Sequence, residues 1–138
     1  MAQREQAVEL SGDVMVVKTV TEEGAEPREE LVKPDLVVPG DRLVFRTNYR
    51  NTSADLVENF VVTNPLHSAV ALAPDTPSSQ QVSVDGGNTF GTLSELTVTE
   101  EDGTSRPAMA YDVTHLRWVL SSLEPGASGQ ISFYAIVR

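Results

Sequence analysis

The octapeptide SVDGGNTF, residues 83–90, contains the residue types that could do chemistry at a turn. Ser83, Asp85 and Thr89 supply two hydroxyls and one carboxylate, and two consecutive glycines lie between the carboxylate and the second hydroxyl. A carboxylate can transfer protons or bind a cation, and it can also accept backbone N–H bonds at a tight turn. Consecutive glycines permit the positive φ angles that such turns need. The stretch therefore predicts a hairpin whose turn is capped by Asp85.

The octapeptide also resembles the Asp box, the pattern S-x-D-x-G-x-T-[WF] that occurs on the blades of sialidase propellers. In proteins that carry it, the Asp box resembles a folding device in which the aspartate caps the turn and the aromatic residue anchors the hairpin. A sialidase needs several blades and a cluster of arginines, and 138 residues are too few for that propeller. The resemblance implies a structural turn, with direct contact to a ligand as the alternative. The residues expected to form this turn are Ser83, Asp85, Gly87, Thr89 and Phe90.

The remaining reactive side chains show no spacing that is typical of an active site or a metal site. Carboxylates cluster in residues 22–30 and 100–102. No spacing among them selects the facing pair that glycoside hydrolysis needs, and a calcium loop needs more alternating oxygen ligands. The two histidines, His67 and His115, lack metal-binding spacing, and the chain has no cysteine. We therefore expect solvated acidic loops, no catalytic residue, no metal, no cofactor and no enzymatic activity.

The charge of the chain restricts its partners. Ten Lys and Arg against twenty Asp and Glu give a formal net charge of −10. The phosphates of nucleic acid and of an anionic membrane surface would be repelled by this charge, and no apolar run of about 18 residues predicts membrane insertion. Glycan binding is not expected either, because most aromatic residues fall on predicted inward faces. A protein partner and self-association are the partner classes that stay open.

Three arginines recur on one face of the strand predicted from residue 42 onward. Arg42, Arg46 and Arg50 lie on the polar side, opposite an apolar side made of Leu43, Phe45, Thr47 and Tyr49. One interpretation is a solvated face whose arginines pair with nearby glutamates. The other is a docking stripe, either for an acidic partner or for the chain's own acidic loop, residues 21–30.

The pattern around these residues is that of an all-β protein. Short runs rich in Val, Leu, Phe and Thr are separated by Gly, Pro, Asn and Asp at intervals of about 8–12 residues, and no segment keeps the apolar period of a long helix. Residues 7–20 predict a first strand with a bulge at Gly12 and an apolar face of Val8, Leu10, Val14, Val16 and Val20. We expect one domain over residues 1–138. It would be an immunoglobulin-like β-sandwich of about eight or nine strands, with Trp118 as a core anchor.

Three blocks of the sequence, in order, resemble a known repeat. Residues 37–53, VVPGDRLVFRTNYRNTS, look like its opening, residues 60–74, FVVTNPLHSAVALAP, like its middle, and residues 118–137, WVLSSLEPGASGQISFYAIV, like its close. The family is the bacterial and archaeal conserved repeat called domain of unknown function 11, and the resemblance covers residues 36–138. It implies an immunoglobulin-like sandwich on an exported cell-envelope or surface protein, without catalytic residues.

The chain departs from that repeat in two places. Residues 1–35 add a strand and an acidic loop in front of it, and residues 75–114 look like an insertion that contains the Asp box. We expect the first strand to pair within its own chain, which would hold residues 1–10 on a sheet. Pairing with the sheet edge of a neighbouring chain is the alternative, and head-to-tail repetition of that exchange would build a filament.

These observations lead to one expected function and two alternatives. The expected function is that of a non-enzymatic structural, adhesive or protein-interaction module of the cell envelope. The alternatives are a carbohydrate-binding or hydrolase accessory module, and a filament subunit formed by strand exchange. The opening MAQREQAVEL has no apolar stretch of a secretory leader. The resemblance implies an extracellular, cell-surface or periplasmic protein, whose leader we expect not to be present in this chain.

Overall fold

The computed structural model describes residues 7–34 and 36–138 of the chain. Within these residues the chain forms strands and two single-turn 3-10 helices, Leu93–Glu95 and Ala110–Asp112, so the predicted all-β class without a long helix is confirmed. The strands are β1 (Val8–Val20), β2 (Arg28–Val32), β3 (Arg42–Asn51), β4 (Val57–Pro65), β5 (Val70–Leu72), β6 (Gln81–Ser83), β7 (Gly91–Thr92), β8 (Thr97–Thr99), β9 (Ser105–Pro107), β10 (His115–Leu123) and β11 (Ser128–Val137). Several of them are only two or three residues long, which is why they outnumber the eight or nine expected from sequence.

The strands form two antiparallel sheets that pack face to face. Sheet A has the order β2-β1-β3-β11-β5, sheet B has the order β4-β10-β6-β7, and β8 with β9 makes a separate hairpin. Leu72 and Phe133 from sheet A share one buried cluster with Val82 and Leu116 from sheet B. This shared core confirms the predicted sandwich.

Aromatic stacking lies at the centre of the core. Phe45 of β3 and Phe133 of β11 are partners in the ladder, and their rings stack with centroids 5.0 Å apart and an interplanar angle of 5°. Trp118 reaches Phe133 from sheet B at 6.0 Å and packs on the buried cluster while staying partly exposed. Aromatic pairs at such distances add to the stabilisation from burial. The predicted alternation through β3 therefore places Phe45 correctly, and Trp118 packs on the core as expected.

A buried asparagine closes β3. The side chain of Asn51 is fully buried, and its Nδ2 donates to the carbonyl oxygens of Asp55 and Leu123, both at 2.8 Å. Its Oδ1 accepts from the backbone N–H of Ser53 at 3.0 Å and from the Ser53 hydroxyl at 2.7 Å. Because its polar atoms are bonded, burying this side chain carries little penalty. The bonds join the loop after β3 to the end of β10.

The first strand pairs within its own chain. β1 and β3 form ten consecutive pairs from Val8–Asn51 to Val17–Arg42. The bulge expected at Gly12 is absent because the ladder continues through Gly12 without a shift of register. The expected pairing of residues 1–10 is met by Val8 to Leu10, while residues 1–6 lie outside the described residues.

The apolar face of β1 is covered over only part of its length. Val8 and Val16 are buried, whereas Leu10 is 48% exposed. Leu10 was expected to be inside, and this expectation is wrong. On this face of β1, Leu10 lies between Val8 and Val16, which are both buried, so the cover of the face is interrupted at Leu10.

The predicted acidic loop 21–30 is shorter than expected. Arg28 begins β2, which pairs with β1 from Val20–Arg28 to Val16–Val32, and its guanidinium bridges Glu22 at 3.2 Å and Glu30 at 3.0 Å. These bridges favour a return strand where the sequence indicated only a loop. Because β3 pairs with β1 no further than Val17, residues 18–30 project beyond the sandwich. We call them the β1–β2 arm.

We predict that Phe133→Ala lowers the free energy of unfolding by about 3–5 kcal/mol, because it removes a buried ring that contacts two others. Urea unfolding followed by tryptophan fluorescence measures this change. Val119→Ala is the control, since Val119 follows Trp118 on β10 and is 51% exposed. The control should change the free energy by less than about 0.5 kcal/mol. Equal losses in the two variants would contradict the assigned core.

Candidate functional site

The Asp-box segment forms the turn between β6 and β7, as predicted. Gln81 pairs with Thr92 and Val82 with Gly91, so residues 84–90 make the connection. Gly86 and Gly87 adopt φ angles of 81° and 93°, a region that side chains with a Cβ rarely adopt. The two glycines therefore meet the requirement that the sequence predicted for this turn.

Asp85 accepts the hydrogen bonds that hold the turn together. Its Oδ1 receives the Ser83 hydroxyl at 2.7 Å and the backbone N–H groups of Thr89 at 2.9 Å and Asn88 at 3.1 Å. The Ser83 hydroxyl, which is fully buried, accepts in turn from the Gly87 N–H at 2.9 Å. The Ser83 bond, followed by that from Thr89, holds the pKa of Asp85 below its ordinary value. The geometry fits a capping carboxylate that stays ionised.

The start of β10 supports the same turn from the other side. The Thr114 hydroxyl accepts from the Gly86 N–H at 3.1 Å, and the Thr114 N–H donates to the Ser83 carbonyl at 2.8 Å. The His115 imidazole lies against Gly87, where an added Cβ would meet the ring at 3.7 Å. His115 is thus a packing partner of the turn, bonded through Nδ1 to Thr114 at 3.0 Å.

The aromatic residue of the Asp box is covered by an arginine. The Arg117 guanidinium lies 4.4 Å from the centroid of the Phe90 ring, and its Nε donates to Gln81 Oε1 at 3.0 Å. A cation over the ring face is attractive, and it also occupies the surface on which a sugar would stack. Within the described part of the chain, no group of three or more His, Asp and Glu residues could hold a metal ion. The turn therefore has the geometry of a structural element.

The arginine stripe is largely neutralised by aspartates of the same chain. Arg42 makes two bonds to Asp75, at 3.2 and 3.0 Å, and Arg46 makes two to Asp13, at 2.8 and 2.6 Å. One interpretation of the sequence expected pairing with glutamates, and the other included docking of the acidic loop. The observed partners are aspartates that lie outside that loop. Arg50 forms no ion pair with a residue that the structure describes. Docking of an outside partner on the stripe stays a prediction, and that partner would compete with Asp13 and Asp75.

A second cluster of charges escaped the sequence analysis. The Arg106 guanidinium binds both oxygens of Asp112 at 2.8 Å, contacts Glu100, and lies 5.5 Å from the centroid of the Tyr111 ring. Arg138 donates to the Tyr111 carbonyl at 2.8 Å. The cluster fastens the β8–β9 hairpin to the following 3-10 turn. The available signal was the Asp102-Gly103 pair, a turn sequence that brings Glu100 and Arg106 onto adjacent segments.

The most unusual surface of the molecule follows the β1–β2 arm. All five residues of β2 are exposed, and no described strand pairs with its outer edge. Five aliphatic side chains at the end of β2 and in the segment after it are between 36% and 82% exposed. We call them the aliphatic ridge: Leu31, Val32, Leu36, Val37 and Val38. β2 is the outermost strand of sheet A, and the exposure of these five apolar residues was not predicted from the sequence.

No family model, characterised protein or solved structure matches the chain. Within the described residues, no helix is both long enough and apolar enough to span a membrane.

We predict that Ser83→Ala lowers the free energy of unfolding by about 1–3 kcal/mol, because the buried hydroxyl both donates to Asp85 and accepts from Gly87. Ser79→Ala is the matched control, since Ser79 is exposed, and it should change stability by less than about 0.5 kcal/mol. Thermal and urea unfolding measure both variants. Unchanged stability of the Ser83→Ala protein would contradict the structural role assigned to this turn.

We predict an acid-dependent loss of stability that Asp112→Asn reduces. The bond to Arg106 lowers the pKa of Asp112 in the folded protein below the unfolded value of about 3.9. Stabilisation by this carboxylate is therefore complete above about pH 4–5 and is lost as the pH falls through the folded pKa. Urea unfolding between pH 6 and pH 2 should show a smaller decrease for Asp112→Asn than for the unaltered protein. Asp55→Asn, at an exposed position, is the control, and an identical decrease in all three proteins would contradict the assignment.

Proposed function

We propose that the chain is a non-enzymatic structural or protein-interaction module of the cell envelope, and that the β1–β2 arm with the aliphatic ridge is its contact surface. The observation that carries this proposal is the ridge: five aliphatic residues within an eight-residue stretch, exposed beside an unpaired strand edge. Single exposed aliphatic residues are ordinary on protein surfaces, whereas several that are exposed close together in the chain favour a contact site.

The edge of β2 adds main-chain bonding to the apolar contact. An edge strand offers free N–H and C=O groups to an incoming strand, and proteins usually protect such edges with charged residues or proline. Here Arg28, Glu29 and Glu30 lie in the first half of β2, while its second half is Leu31 and Val32. A partner strand would pair with this second half and cover the ridge, which is the mode of β-strand addition.

The β1–β2 arm has little stabilising contact with the rest of the chain. A two-stranded ribbon that is exposed on both faces has marginal stability in water. Residues 18–30 are such a ribbon, because they project beyond the last β1–β3 pair. The bridges from Arg28 to Glu22 and Glu30 join side chains that are all about half exposed, and exposed pairs contribute little. Contact with another protein would supply the missing cover.

Location outside the cytoplasm is supported by the sequence resemblance. The three blocks at residues 37–53, 60–74 and 118–137 look like a repeat that occurs on exported proteins of the cell envelope and surface. A sandwich without cysteine is compatible with that location. The absence of any assigned catalytic residue in the repeat agrees with a binding or structural role.

The two alternatives have weaker support. A carbohydrate-binding module needs aromatic rings with a free face, and the exposed rings of Tyr111 and Tyr134 lie beneath Arg106 and Arg42, at 5.5 and 4.3 Å. A filament subunit needs a first strand that crosses to a neighbour. β1 makes its pairs with β3 of the same chain, so exchange would replace bonds that already exist.

We predict that Leu36→Ser with Val38→Ser weakens binding to the cell envelope. Envelope fragments of the source cells are incubated with the purified protein, and the amount that sediments with them is measured. The double variant should bind at least about fivefold less, because it removes two of the most exposed apolar contacts of the ridge. Leu56→Ser is the matched control: Leu56 is 50% exposed but lies in the loop between β3 and β4, and it should bind normally.

Equal binding by the double variant and the control would overturn the proposed contact surface. The filament alternative has its own measurement, which is sedimentation velocity over a hundredfold range of protein concentration. Polymers that disappear when residues 1–20 are removed would favour strand exchange. A species of constant size at all concentrations would exclude it.

A further inference from the structure

A cavity opens between the two sheets on the side opposite the arm. Its volume is about 320 Å³, and it is lined by β5, the loop after β5, β6, the first 3-10 turn and two alanines that precede β10. The floor is formed by Leu72, Ala73 and Val82, which belong to the buried core and are at most 2% exposed. The volume lies within the range of small-molecule sites, about 300–1,000 Å³.

The walls of this cavity are held in place by hydrogen bonds. In the loop after β5, the backbone N–H of Thr76 and its hydroxyl both donate to the Ala73 carbonyl, at 3.1 and 2.7 Å. The next turn is closed by the Gln80 N–H on the Pro77 carbonyl at 3.0 Å. A loop with two bonded turns and restricted proline φ angles gives up little entropy when a ligand binds. The cavity is therefore preformed.

The opposite wall is also fixed. The first 3-10 turn begins after Thr92, whose N–H and hydroxyl both donate to the Glu95 carboxylate, at 3.2 and 2.6 Å. This cap holds Leu93 and Ser94 in the lining of the cavity. Because Glu95 is engaged with Thr92, its charge is directed to the turn and does not line the cavity.

The lining defines the chemistry of a ligand. None of the lining residues is charged, in a chain with ten basic and twenty acidic residues. Three alanines, Ala73, Ala108 and Ala110, leave space above the core that longer side chains would fill. A neutral apolar body is therefore favoured over an ion, since burying a charge without a partner is costly.

One polar group in the lining can orient such a body. The amide nitrogen of Gln80 donates to the carbonyl oxygens of Gln81 and Arg117, at 3.1 and 3.0 Å. These bonds fix the side chain and leave its amide oxygen without a donor among the described residues. An amide oxygen in this state can accept a hydrogen bond from a ligand. A ligand with a single N–H or O–H donor would meet this requirement.

From this combination we infer that the cavity is a binding site for a compact, uncharged, mainly apolar small molecule that donates one hydrogen bond. Indole and small cyclic alcohols represent the class. The site is independent of the aliphatic ridge, so failure of either proposal leaves the other standing.

Titration of the full chain with indole, followed by two-dimensional NMR, tests this inference. Saturable shifts are expected at Leu72, Val82 and Ala108, with a Kd of about 1 mM for a ligand of this size in a partly open site. 1-Methylindole, which lacks the N–H donor, should bind at least about threefold more weakly. Equal affinity for the two probes would overturn the assigned role of the Gln80 amide oxygen, and absence of saturable shifts up to the solubility limit would overturn the site.

Two variants that occupy the cavity locate the binding. Ala110→Leu and Ser94→Leu both place a larger side chain in it, one from each wall, and each should weaken indole binding at least about fivefold. Ala54→Leu adds the same side chain at an exposed position far from the lining and should bind as the unaltered protein does. NMR peak dispersion checks that each variant is folded. Unchanged indole affinity in a folded cavity variant would overturn the inference. A second outcome would also overturn it: the same residues shift when the protein concentration alone is raised, and Leu36→Ser removes those shifts. The shifts would then report self-association through the aliphatic ridge.

Discussion

The stacking of Phe45 on Phe133 is the contact on which the rest of the structure depends. The two rings lie on neighbouring strands of sheet A, and Trp118 of sheet B reaches the same site, so one cluster sets both the register within a sheet and the packing between sheets. Because β3 pairs with β11 on one side and with β1 on the other, the register fixed by this stack extends to β1. The β1–β2 arm projects where that shared ladder ends.

Most of the ion pairs described above join arginines to carboxylates of the same chain. Arg42 and Arg46 each form an ion pair with an aspartate from another part of the chain, and Arg106 forms one with Asp112. A chain of net charge −10 thus places much of its small supply of arginine in internal pairs that fasten loops and edges. The surfaces that stay open for other molecules are apolar ones, the aliphatic ridge at one edge of sheet A and the neutral cavity near the other edge.

Sequence periodicity predicted the elements well and their surroundings poorly. The alternation through β3 placed Phe45 inward, and the consecutive glycines of the Asp box identified its turn, because both depend on neighbouring residues alone. The exposure of Leu10 depends on which distant segments cover that face of β1, and the pairing of Arg46 with Asp13 depends on the register between two strands. Neither quantity is encoded within a few residues. The cavity also escaped prediction, since it results from three small side chains that converge from separate segments.

The position of β3 has a consequence for the order in which this protein can fold. Phe45 and Phe133 face each other in the ladder although about 90 residues separate them, and contacts of such long range are slow to form because a large loop must close first. Sheet A therefore cannot be completed before β11 exists. Loss of that strand would remove an interior strand of the sheet together with the stacked ring it carries, so a truncation that removes β11 would destabilise the whole fold.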